Sequence, residues 1–164
     1  QTLAGDEQKL VLQSAAHFAD QANTTFKRIT LKAPLQQSLA RKQKALLASV
    51  ERYQTLVDWH ITPYYEQGLQ GLGSIYIEFA KALMASERPA NLSEMALEEY
   101  DILLEEQAYP FEEKGLLLHE ANLKRLWDGE QNTATLESLA VLQKLMSAQY
   151  ARPEQVEPMY DQPN

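Results

Sequence analysis

The stretch over residues 62–87, TPYYEQGLQGLGSIYIEFAKALMASE, constrains the fold more than any other part of the chain. Tyr65, Leu69, Leu72, Tyr76, Phe79 and Leu83 follow one another at alternating spacings of four and three, the period that lines one face of an α-helix. Thr62 is placed to cap the start, and Pro63 suits a first turn, where a missing N–H costs nothing. Gly68, Gly71 and Gly73 each cost about 1 kcal/mol of helix propensity against alanine. A helix with three glycines must be held by its neighbours, and small residues let those neighbours approach. The stretch is therefore expected to be a central helix packed on more than one side.

The rest of the chain reads as further helices around it. Val11, Ala15, Phe18, Ala22 and Phe26 form an apolar stripe that predicts a first helix over about 6–28, with Asp6 and Glu7 at its favourable N-terminal end. Ala33–Pro34 breaks the pattern. A second helix over about 35–59 turns Leu39, Leu46, Val50, Tyr53 and Val57 inward, with Arg41, Lys42, Lys44 and Arg52 outside that stripe. Only a short turn separates it from the central helix, so the two are expected to form an antiparallel hairpin. Ser93, flanked by Leu92 and Leu97 at staple spacing, caps a fourth helix that carries Leu97, Tyr100 and Leu104 inward and stops near Tyr109. Pro110 opens a fifth at a tight corner clamped by Tyr109 and Phe111, and Asp128–Gly129 closes it. A sixth over about 134–148 presents Leu139, Leu142, Leu145 and Met146. The expected fold class is all-α, about six helices as stacked antiparallel helical hairpins with long second and third members. One domain should cover 1–152, followed by a Pro-rich tail over 153–164.

With 164 residues, 45% of them hydrophobic, the chain can bury a core without disulfides or metals. The absence of cysteine excludes a thiol nucleophile and a thiolate metal site. Charge is unevenly placed: eight Lys/Arg face five Asp/Glu up to Asp58, and seven face eighteen from Trp59 onward. That acidic majority argues against nucleic-acid binding, which needs a basic stripe. No apolar run approaches the ~20 residues of a membrane span. The chain begins QTLAGDEQ without Met, which predicts a processed or trimmed fragment once preceded by a signal or lipidation sequence.

The densest chemistry lies in Glu98, Glu99, Asp101, Glu105, Glu106, Glu112 and Glu113, followed by His119 and Glu120. A di-iron site in a bundle needs Glu-x-x-His on two helices, but Leu116 stands three before His119. The zinc-protease pattern fails as well, because Leu123 occupies the place of its second histidine. No Gly-x-Ser-x-Gly elbow occurs, and the glycines of the central stretch have no phosphate-loop context. No catalytic, cofactor-binding or metal-binding residue is predicted. The acidic residues are expected to form a solvated face, and His119, in line with Leu116, Leu123 and Leu126, to be packed. Asn122 shares a face with Phe111, Gly115 and Leu118. There it would either grip a ligand's backbone or tie down a neighbouring helix's carbonyl. The candidate partner-binding residues are Glu105, Glu106, Glu112, Glu113 and Asn122, and the partner they favour is a protein with a basic surface.

Leu72-Gly73-x-x-Tyr76 resembles the first helix of a tetratricopeptide repeat. IYIEFAKALMASERPANL, LEEYDILLEEQAYPFEEKGLLLHEAN and SAQYARPE are similar, in this order, to the C-terminal module of large bacterial tetratricopeptide-repeat proteins of the cell envelope. Gly115 and Gln149 stand where that family carries Ala and Arg. The resemblance implies a non-enzymatic interaction scaffold, periplasmic or in the cell envelope, in a larger protein associated with outer-membrane transport or motility machinery. Two alternatives accompany it: a structural C-terminal cap of a repeat array, and a metal-dependent helical accessory enzyme using the Glu-rich stretch and His119.

Overall fold

A computed structural model describes the backbone of residues 2–150 and the side chains of 5–146. Its five helices are α1 (Thr2–Arg28), α2 (Leu35–Asp58), α3 (Tyr64–Met84), α4 (Glu94–Trp127) and α5 (Thr133–Tyr150). The chain is all-α, with no strand among the described residues. The expected tail over 153–164 lies outside them.

Helix α3 is the hub, in contact with all four others. Beyond the consecutive pairs, α1 packs on α3 and α3 on α5, whereas α2 and α4 do not meet. The helices thus form two layers, with α1, α3 and α5 in one and α2 and α4 in the other. The glycines of α3 explain how so many neighbours fit. A Cβ on Gly68 would lie 2.9 Å from the Tyr53 carbonyl oxygen, and one on Gly71 would enter the Tyr53 ring, so both serve the contact with α2. A Cβ on Gly73 would lie 3.0 Å from the Gly115 carbonyl oxygen on α4, and one on Gly115 would lie 2.7 Å from the Gly73 carbonyl oxygen. Two backbones therefore touch where α3 meets α4.

Phe26, Leu56, Ile75 and Phe79 are completely buried between these helices. Each contributes about 1.5–3 kcal/mol by leaving water. Tyr53 adds a polar tie among three helices: its hydroxyl donates to Asp20 Oδ1 on α1 at 2.9 Å, and Gln67 on α3 donates to Asp20 Oδ2 at 3.3 Å. Burial, then the Asp20 charge, holds the Tyr53 hydroxyl well above its ordinary pKa.

The expected fourth and fifth helices are one, the 34-residue α4, with Pro110 inside it. There is no corner, and Tyr109 is exposed instead of clamped. The reason is the position of the proline. The carbonyl it cannot serve belongs to Glu106, four residues back, and both residues are exposed, so water can take the lost hydrogen bond. On the opposite side Leu104, Ala108 and Gly115 are buried, and Phe111 sets its edge on Phe79 at 4.7 Å. Packing on α3 carries the helix through.

Five smaller expectations are also corrected. Leu97, expected inward at the start of the fourth helix, is exposed. The buried face of α1 is Leu12, Ala16, Ala19 and Phe26, one step round from the predicted stripe, and Val11 and Phe18 are exposed. Lys42, expected outside, is buried; its ammonium donates to the carbonyls of Phe26 and Ile29 at 3.1 and 2.7 Å, closing the end of α1. Desolvation lowers its pKa. Thr62 does not cap α3, which begins at Tyr64 without a side-chain cap. The central helix ends at Met84, a turn short of the predicted 62–87 span. Two local signals read as expected: Ser93 Oγ accepts from Ala96 N at 3.2 Å, and Gly129 stops α4 with φ +100°.

Candidate functional site

The polar residues that could carry chemistry gather where α3, α4 and α5 meet. Glu66 sits in the first turn of α3, where a negative charge suits the helix dipole, and its side chain is completely buried. One carboxylate oxygen, Oε1, accepts from Arg125 Nε at 2.9 Å and Nη2 at 2.8 Å, and from Thr62 Oγ1 at 3.3 Å. The Arg125 guanidinium, about a third exposed, reaches on to Glu130 at 3.5 Å. Its hydrogen bonds to Glu66 hold its pKa above the ordinary arginine value.

One turn back along α4, Asn122 is completely buried. Its Nδ2 donates to the Glu66 main-chain carbonyl at 2.9 Å and to Ser138 Oγ on α5 at 3.0 Å. Of its two expected roles, tying down a neighbouring helix is the one the geometry serves. A residue without exposed surface has nothing to offer a partner, so Asn122 leaves the set of partner-binding candidates.

His119 shares Ser138 with Asn122: its Nδ1 lies 3.0 Å from Ser138 Oγ. A serine–histidine pair invites a nucleophilic reading. Both side chains are completely buried, however, so no substrate reaches them. Burial pushes the His119 pKa down to about 4, leaving the ring neutral at physiological pH. The ring fills the space over Gly73, whose Cβ would lie 2.8 Å from Nε2. Glu66 Oε2, His119 Nε2 and Asn122 Oδ1 have no hydrogen-bond partner among the described residues. Such a cluster costs desolvation and returns geometric specificity, because only one alignment of the three helices satisfies the remaining bonds.

The acidic candidates lie elsewhere. Glu105, Glu106, Glu112 and Glu113 are all exposed along α4 and do not converge with His119. Among the described residues no group of three or more His, Asp or Glu could hold a metal ion. Glu105 and Glu106 flank a shallow recess with Ile102 and Tyr109, while Glu112 borders one beside Met84 and Ala108. A larger cleft of about 830 Å³ separates the ends of α1 and α3, with Lys27, Lys32 and Lys81 at its rim. Lys42 lines it too, but its ammonium is committed to the carbonyls of α1. Between α4 and α5 an apolar cleft of about 600 Å³ is walled by Leu123, Trp127, Leu139, Leu142 and Met146.

Sequence reading overlooked Glu66, Arg125 and Ser138, whose partners stand far off in the chain; Glu66 and Arg125 are 59 residues apart. It also overlooked Ile102 and Tyr109 as an outward pair, although their seven-residue spacing is visible in the sequence. No helix of the described residues is long and apolar enough to cross a membrane. No family model, curated protein or solved structure matches the chain.

Proposed function

We propose that this chain is a non-enzymatic, tetratricopeptide-repeat-like interaction module of the bacterial cell envelope that engages a basic protein surface through α4. One observation carries the reading: the side chains able to do chemistry are sealed between helices, while acidic and apolar side chains stand open together on α4. Glu66, His119, Asn122 and Ser138 are completely buried, whereas Glu105, Glu106, Ile102 and Tyr109 are exposed. The order of helix contacts agrees with stacked helical hairpins, since alternate helices of one layer touch and those of the other do not. The envelope location and the link to transport or motility machinery rest on the resemblance of the IYIEFAKALMASERPANL and LEEQAYPFEEK segments alone.

The capping alternative requires a polar outer face at the end of a stack. The cleft beside Trp127 is apolar among the described residues, which favours binding over capping. The accessory-enzyme alternative would need the glutamates and His119 to converge, whereas Glu98, Glu99, Glu105, Glu106, Glu112 and Glu113 are exposed and His119 is completely buried. The test is affinity capture from a bacterial envelope extract on the immobilised folded chain, with heat-unfolded chain as control. A discrete basic protein held by the folded chain alone is expected; retention equal on both surfaces would contradict the proposal.

A further inference from the structure

Three glutamate pairs recur along α4 every seven residues: Glu98–Glu99, Glu105–Glu106 and Glu112–Glu113. Met95, Ile102 and Tyr109 recur at the same interval, three residues ahead of each pair, so MALEEYD, ILLEEQA and YPFEEKG stand in register. A seven-residue step on an α-helix returns to nearly the same direction, slipping by only about 20°. Met95, Ile102 and Tyr109 therefore form one line. Neighbours at i+3 and i+4 flank such a line on its two sides, which places a row of glutamates along each.

This line faces outward. Met95, Ile102 and Tyr109 are 71%, 57% and 61% exposed, and all six glutamates are exposed. Much of it lies on an overhang: Met84 and Ala85, at the end of α3, sit beside Ala108, so α4 before about Leu103 runs past its partner helix. The overhang is roughly 15 Å long. Its inner side rests on the loop after α3, where Arg88 Nε donates to Asp101 at 2.6 Å.

Building on the interaction reading above, we propose that this face of α4 docks a cationic amphipathic helix of a partner protein. Its apolar stripe would lie along Met95, Ile102 and Tyr109, and its Lys/Arg rows would meet the glutamate pairs. Charge complementarity selects the sign of the partner, since over 94–119 the chain has eight Asp/Glu against a single Lys/Arg, Lys114. The period selects its conformation. Successive pairs are about 10.5 Å apart along the axis. A helix presents side chains at that interval in one line, whereas an extended strand alternates its side chains between two faces. A second copy docking α4 on α4 would set glutamate against glutamate.

The test uses a three-heptad synthetic helical peptide with Leu in one stripe and Lys and Arg beside it. Controls are a scrambled peptide of identical composition and a Glu-for-Lys/Arg version. Binding to the full chain is read by fluorescence anisotropy at low and high salt, with the chain's mass followed by analytical ultracentrifugation. The patterned peptide should bind at least tenfold more tightly than the scrambled one. Ile102→Ser with Tyr109→Ser should weaken it at least tenfold while leaving the melting temperature and the helical signal intact, because both side chains are exposed. Equal binding of the scrambled peptide, no effect of the double substitution, or no binding at all would overturn the inference. So would a dimer of the free chain that dissociates on the double substitution, which would make a second copy the occupant. Capture of a basic envelope protein that ignores the double substitution would overturn this inference and leave the proposed function standing.

Discussion

The Asn122 amide on α4 donates to the main-chain carbonyl of Glu66 on α3 at 2.9 Å, with both side chains completely buried. This bond turns an amide that looked available to a ligand into a joint between helices. The same joint takes in Arg125, His119 and Ser138, so the polar interior of the molecule specifies helix alignment.

Removing Arg125 should test that joint most severely. Arg125→Ala leaves the Glu66 carboxylate buried without its cation, which should cost about 3–5 kcal/mol of stability. Chemical denaturation measures it. Glu66→Gln together with Arg125→Met should recover part of the loss, because it removes the uncompensated charge and keeps the volume. A double variant as unstable as Arg125→Ala would place the cost in packing alone.

His119 supplies a pH dependence with a definite sign. Its folded pKa of about 4 lies below the ordinary 6.5, so the unfolded chain takes up the proton first as pH falls. The contribution is complete above pH 6.5 and is lost as pH falls through the window down to about 4. A shift of that size corresponds to about 3 kcal/mol. Carboxylates titrate near the lower end of the window, so the informative quantity is the difference between the wild type and His119→Gln. Unfolding free energies should lie closer together at pH 4.5 than at pH 7; a gap independent of pH would contradict the burial of a neutral ring.

The backbone contact between α3 and α4 predicts an asymmetry among glycines. Gly73→Ala would press a methyl group on the Gly115 carbonyl and the His119 ring, and should cost about 1–3 kcal/mol despite its better helix propensity. Gly5→Ala meets open space in α1 and should stabilise by up to about 1 kcal/mol. Thermal melts of the two variants should move in opposite directions.

What could be read in the sequence were the features with local causes. The α2–α3 hairpin, the Ser93 cap and the Gly129 stop each follow from a few adjacent residues. The need for close neighbours around α3 was legible in its glycines, though not which glycine serves which helix. Pro110 misled because a proline's effect depends on where the unserved carbonyl points, and only packing on α3 decides that. In α1, Val11–Phe18 and Leu12–Ala16–Ala19 are adjacent stripes of similar apolarity, and the neighbouring helices choose between them. Lys42 gives no sequence sign of burial, since its partners are carbonyls ending another helix. The glutamate register was present in the letters, but a helix read as ending at Tyr109 cuts it in two.

Charge reversal on α4 tests the account's central claim most directly. Glu105, Glu106, Glu112 and Glu113 are exposed, so changing all four to Lys should alter stability by only about 0.5 kcal/mol per site. Its effect should fall on binding, because opposed charges at a surface govern association and the choice of partner. The measurement is capture of the proposed basic partner by wild type and the quadruple variant across a salt series, with folding checked by circular dichroism. The account predicts that the variant loses the partner at low salt and that the difference shrinks as salt rises, since exposed charges are screened beyond ~10 Å at 0.1 M. A folded quadruple variant that holds the same partner with unchanged salt dependence would contradict it.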